Sequence, residues 1–150
     1  MCAALLFVGC TSAVPGPPHV PPATNVACTK ADVESLLSAF VRAINSGEGQ
    51  SMTAALATAV VFSDDRRQVG GDFESPRDRE AIVRYFLNRH ASGDRSELVR
   101  GQANSSRDFE FELVVHTQVG RHSAIGKGGM SDPANCSQQR ITVWNMVRQP

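Results

Sequence analysis

Asp64 and Asp65 run directly into Arg66 and Arg67. A carboxylate held in an apolar pocket can act as a general base, taking a proton from a carbon beside a carbonyl while donors hold the enolate. Four adjacent charges favour a different arrangement, a solvated loop whose ions neutralise one another. Asp64 and Asp65 are therefore expected on a loop and are weak catalytic candidates. The histidines add little: His116 falls on the polar side of an alternating segment, His122 in the turn after it, and His90 at a helix end. None stands at metal-ligand spacing from another His, Asp or Glu. Cys-x-x-Cys does not occur, which argues against zinc-ribbon and thioredoxin-type sites. Gly126-Lys127-Gly128-Gly129 lacks the spacing and the Ser/Thr of a phosphate loop. No metal and no cofactor is expected.

The aromatic residues offer a second kind of site. Phe40, Tyr85, Phe86, Phe109, Phe111 and Trp144 are candidate walls of a ligand pocket, and each could equally be plain core. Tyr85 is the only tyrosine and Trp144 the only tryptophan. Both combine an apolar ring with a polar group that can meet a ligand.

The elements that would position these residues are legible from periodicity and caps. Thr29-Lys30-Ala31-Asp32 fits a capping box, and Val33, Leu36, Leu37, Phe40, Val41 and Ile44 follow at helical spacing. Gly47 supplies the stop, so the first helix is expected over 30–46. A shorter helix is expected over 51–59, with 60–62 as its end or a short strand and 63–74 as loop. Ser75-Pro76-Arg77-Asp78 opens a third helix, with Ser75 as cap, Ile82, Val83, Phe86 and Leu87 as its stripe and Gly93 as its end. After Gly93 the period changes to two. Phe109, Phe111, Leu113 and Val115 alternate with polar neighbours, and further strands are expected over 98–103, 123–130 and 139–148. Both faces of the last strand are largely apolar, so it is central and covered twice, or one face meets a second copy in a homodimer.

Three helices followed by four strands predict an α+β domain, its helices on one face of a curved, mostly antiparallel four-stranded sheet. Residues 29–150 resemble the NTF2-like superfamily, the cystatin-like cone fold that includes SnoaL-like proteins and ketosteroid isomerases. The resemblance rests on element order and on Val61-Phe62-Ser63-Asp64, Asp78-Arg79-Glu80-Ala81-Ile82 and Arg140-Ile141-Thr142-Val143-Trp144. It implies a deep cone between helices and sheet, used in that superfamily as an enzyme pocket or a ligand pocket.

The first 29 residues carry no charged side chain. Residues 1–9 are small and apolar, ending Leu-Leu-Phe-Val-Gly before Cys10; residues 10–28 hold prolines at 15, 17, 18, 21 and 22. This resembles a bacterial lipoprotein leader and tether, with cleavage before Cys10 and acylation of its thiol. Phe7 stands where such leaders usually have Leu, and no Lys or Arg precedes the apolar run. Two acyl chains hold a domain stably on a bilayer. A proline-rich tether of this length reaches about 50 Å. Basic residues are 13 Arg and 2 Lys, which fits a GC-rich, actinobacterial genome. The 15 positive and 15 negative charges balance, so no global field draws nucleic acid.

Of the four cysteines, Cys2 leaves with the leader and Cys10 carries lipid. Cys28 and Cys136 are then an even pair outside the cytoplasm, expected as a disulfide, the alternative being two buried thiols. The leading functional expectation is a lipid-anchored domain on the outer face of the bacterial cell membrane, without catalysis, binding a small apolar ligand or a cell-envelope partner. One alternative is a SnoaL- or isomerase-type enzyme with Asp64 or Asp65 as base. The other is an intracellular interaction module with free thiols.

Overall fold

The computed structural model describes residues 27–65, 78–131 and 136–150. The expected leader at 1–9, nearly all of the tether at 10–28 and the lipidation site Cys10 lie outside the described residues. Helix α1 spans Lys30–Ser46. It begins because Thr29 and Asp32 close the capping box: Thr29 N donates to Asp32 Oδ2 at 2.8 Å and Asp32 N to Thr29 Oγ1 at 3.3 Å. It ends because Gly47 takes φ 70°, the left-handed conformation that costs glycine no Cβ clash. Val33, Leu37, Phe40, Val41, Ala43 and Ile44 form its buried stripe.

Helix α2 (Gly49–Ala55) is shorter than expected and is followed at once by strand β1 (Leu56–Asp65). Ala57 and Ala59 are good helix formers, and locally the helix would continue. Pairing of β1 alongside the last strand overrides that preference. Helix α3 (Arg79–Ala91) starts three residues later than the Ser75 reading places it. Asp78 is its cap rather than an inner residue, and Ala81 N donates to Asp78 Oδ1 at 2.7 Å.

Strands β2 (Arg95–Ala103), β3 (Asp108–Thr117), β4 (Gly120–Met130) and β5 (Ile141–Arg148) complete a sheet ordered β1-β5-β4-β3-β2. The architecture is α+β with a mostly antiparallel sheet, as expected, but with five strands rather than four. The added strand is β1, which runs parallel to β5. His122, expected in a turn, lies inside β4 opposite Val115.

The helices cover one face. On it lie Phe62, Phe109, Phe111, Leu113, Val115, Ala124, Trp144 and Met146, all buried. The first of the two outcomes posed for β5 does not hold. Trp144 and Met146 face the helices while Val147 points outward, half exposed beside Ile125; Val61, also exposed, stands opposite Val143 further along β5. That outer face is the one a second copy would cover in the homodimer expected from the sequence.

Helix α1 also serves the edge strand β2. Asn45 donates through Nδ2 to Ser96 O at 2.5 Å and accepts from Ser96 N at 2.7 Å, and Glu34 Oε1 accepts from Ala103 N at 3.1 Å. Backbone groups that an edge leaves unpaired are thereby satisfied. A disulfide joins Cys28, just before α1, to Cys136 in the 3-10 turn Cys136–Gln138, with Cα atoms 4.8 Å apart.

Candidate functional site

Strand parity decides where Asp64 goes. Val60 and Phe62 point to the helical face, each 4% exposed, and Asp64, two residues on, points there as well, only 5% exposed. Val61 and Ser63 point outward. The expectation of a solvated loop therefore fails for Asp64, which belongs to the last turns of a strand and lies beside Met146 in the register. Asp65 is also on β1, beside Val147. Arg66 and Arg67 lie outside the described residues.

Tyr85 of α3 donates its hydroxyl to Asp64 Oδ2. Its ring packs edge-on against Phe62 at 5.6 Å and Phe86 at 5.2 Å. Asp64 is buried and Tyr85 half-buried, so the carboxyl sits inside and its partner is in part exposed. A carboxylate offers about four acceptor sites, enough to serve Tyr85 and another donor together.

The six aromatic residues proposed from sequence come together. Phe86 contacts Phe40 at 5.7 Å and Phe62 at 5.8 Å, Phe40 contacts Trp144 at 5.2 Å, and Trp144 stacks on Phe111 at 4.1 Å with Phe109 at 6.3 Å. Apart from Tyr85 these rings are buried in the core. Phe109 and Phe111 can lie flat against the sheet because Gly128 and Gly126 stand opposite them on β4, and a Cβ at either glycine would collide with the ring. The glycine run that fails as a phosphate loop is thus a seat for two phenylalanines. Within this cluster Trp144 Nε1 is buried and has no hydrogen-bond acceptor among the described residues. A buried donor left unpaired costs about 1–3 kcal/mol.

Other titratable groups among the described residues lie elsewhere. Asp94, the other buried acid, is paired with Arg89 across the end of α3 and holds the turn into β2. His116 is half exposed on the outer face, 3.7 Å from Glu97. The described residues contain no group of three or more His, Cys, Asp and Glu that could hold a metal ion.

No family model and no curated protein matches the chain. Solved structures do. A candidate ketosteroid isomerase from Kribbella flavida superposes with a TM-score of 0.63 at 11% identity, covering 81% of this chain and 80% of that one. An LEH-like epoxide hydrolase from Mycobacterium tuberculosis gives 0.56 at 18% identity, covering 80% and 84%. A second M. tuberculosis protein, solved in complex with estradiol-17β-hemisuccinate, gives 0.60 at 16% identity, covering 77% and 92%. The fold is the NTF2-like, cystatin-like cone. In this chain the ring cluster fills the space between helices and sheet, and the Asp64–Tyr85 pair packs against it through Phe62 and Phe86. Sequence reasoning named these residues apart from Phe62, but it did not bring Asp64 inside. The available signal was alternation, since Phe62 inward places Asp64 inward.

Proposed function

We propose that the protein binds a small, largely apolar molecule carrying an oxygen function, and does so on the outer face of a bacterial cell membrane, anchored through Cys10. The observation that carries the binding reading is the Asp64–Tyr85 hydrogen bond on the inner wall of an aromatic cone. A ligand hydroxyl can donate to Asp64, and a ligand oxygen reaching Trp144 Nε1–H would satisfy a donor that otherwise has no partner. The cluster must part to admit that oxygen, because the indole nitrogen is fully buried. A neighbour of the same fold, solved in complex with a steroid ester, supports apolar ligands of this class and supplies a probe.

The test is titration with estradiol-17β-hemisuccinate, read by the fluorescence of Trp144, the only tryptophan. The expected result is a saturable change that weakens in Asp64→Asn and Tyr85→Phe. A linear, non-saturating response would overturn the reading for this ligand class.

A second reading, an isomerase-type enzyme with Asp64 as general base, is favoured by the burial of that carboxylate. It requires turnover of a β,γ-unsaturated ketosteroid by the wild-type chain that Asp64→Asn abolishes while binding persists. Binding without turnover leaves the first reading alone. The acyl anchor is checked separately by intact mass of the protein from its native host, expected to begin at a diacylated Cys10.

A further inference from the structure

Helix α3 lies over the ring cluster but is held to it lightly. It buries only Ile82, Val83 and Phe86, where α1 buries six residues and also bonds to β2 through Glu34 and Asn45. Where α3 meets the junction of α1 and α2 it rests on glycine. A Cβ at Gly47 would strike the His90 ring at 2.9 Å, and one at Gly49 would touch Leu87 at 3.5 Å and Val83 at 3.7 Å. Glycine offers no side chain to interlock with the facing helix.

The ties of α3 are unevenly placed. Its C-terminal end is fastened near β2 and the β3–β4 turn: Arg95 donates to His90 O at 3.1 Å, Gln118 to Ser92 O at 3.0 Å, and Arg89 pairs with Asp94. Just past that end Gly93 takes φ 83°, and a Cβ there would meet nothing within 4 Å. Toward the N-terminal end the described residues show two polar ties, the isolated bridge of Asp78 with Ala59 and the bond from Tyr85 to Asp64. Phe86 is what α3 inserts into the cluster. It is 1% exposed, and its ring lies 6.5 Å from that of Trp144. Withdrawing it leaves a ring-sized space beside the indole, whose Nε1–H lacks an acceptor among the described residues.

We propose that α3 is a lid on the ring cluster, turning about Ser92–Asp94 and latched by Tyr85 on Asp64. Few buried apolar contacts mark a segment that opens locally, at a lower free energy than global unfolding. A hinge needs only a few residues at an element's end to absorb the backbone change. When the latch closes, Phe86 returns to the rings and Asp64 is covered again. That the opening admits a ligand rests on the binding reading above; the opening itself does not.

Native-state hydrogen exchange of the full chain in sub-denaturing urea tests this. Amides of α3 should exchange faster than those of α1 and depend little on urea, since a local opening exposes little surface. Tyr85→Phe should lower the protection of α3 about tenfold or more, the loss of one donor to a buried acceptor. Val33→Ala truncates a core residue about 20 Å along α1 from Gly47. It should lower the protection of α1 and leave that of α3 unchanged. The proposal is overturned if α3 shares the protection and urea slope of α1, if Tyr85→Phe leaves α3 as it was, or if Val33→Ala weakens both helices equally. The exchange needs no ligand, so failure of the steroid-ester titration would sink the binding reading and leave the lid standing.

Discussion

The Tyr85 hydroxyl on α3 donates to the Asp64 carboxyl near the end of β1, joining the third helix to the first strand. The bond places a polar acceptor on the buried side of the sheet. Removing one donor from a buried acceptor costs about 1–3 kcal/mol. Tyr85→Phe should therefore lower stability in urea by about that amount. Adding Asp64→Leu should recover part of the loss, because the acceptor is gone as well, with a coupling of about 0.5–3 kcal/mol between the two sites. Strict additivity in the double-mutant cycle would show that the two side chains do not act as a unit.

The disulfide makes a larger prediction. Cys28 and Cys136 are 108 residues apart, so their bond closes most of the domain into one loop. In the chain-entropy account such a loop is worth about 4–5 kcal/mol, through restriction of the unfolded chain. Cys28→Ser with Cys136→Ser, or the wild type under reductant, should lose stability of that order. If reduction leaves the denaturation midpoint in place, the cross-link does not constrain the unfolded state.

Acid should act on the first helix through Asp32. Its carboxyl is held below the usual aspartate range by the hydrogen bond from the Thr29 backbone, and then by that from the Thr29 side chain, while it remains fully exposed. A lowered folded value means that the contribution is present above the ordinary aspartate value of about 3.9 and is lost as pH falls through the lower folded value. Wild type and Asp32→Asn should differ in stability near neutral pH and converge in strong acid, measured by denaturation at several pH values. A gap that stays constant with pH would separate the cap from the ionised carboxyl.

Legibility in the sequence followed the range of the interactions. The Thr29–Asp32 cap, the Gly47 stop and the alternation through Phe109–Val115 are decided within a few residues, and each stands where the sequence puts it. Strand β1 was legible only in part, as the 60–62 stretch that stood between strand and helix end. Its pairing partner β5 lies about eighty residues away, and Ala57 and Ala59 favour helix locally. Asp64 was hidden for the same reason, since the string Asp64–Arg67 reads as solvated until Phe62 is known to point inward. The aromatic set could be named because large rings mark burial, whereas their seating on Gly126 and Gly128 needed the register of β3 against β4.

The glycine seats give the most direct test of the cone wall. Gly126 faces Phe111 and Gly128 faces Phe109 across β4 and β3, and in each case an added Cβ would occupy the place of the phenyl ring. Gly126→Ala must push Phe111 from its stack on Trp144, which lies only 4.1 Å away between centroids. Overpacking of this kind costs about 1–3 kcal/mol. The displacement should also appear as a change in Trp144 emission, because its stacking partner moves. The cleaner pair is Gly128→Ala with Phe109→Leu: a Cβ at 126 also meets the Asn145 backbone oxygen at 2.6 Å, whereas the close contacts of a Cβ at 128 are all Phe109 ring atoms, so this double variant should be more stable than the sum of the two single losses predicts. The same substitution at Gly129, where a Cβ would meet Val143 at 3.3 Å and no ring, should disturb Trp144 emission far less. Equal emission changes at 126 and 129 would mean that the rings are not seated on the glycines at all.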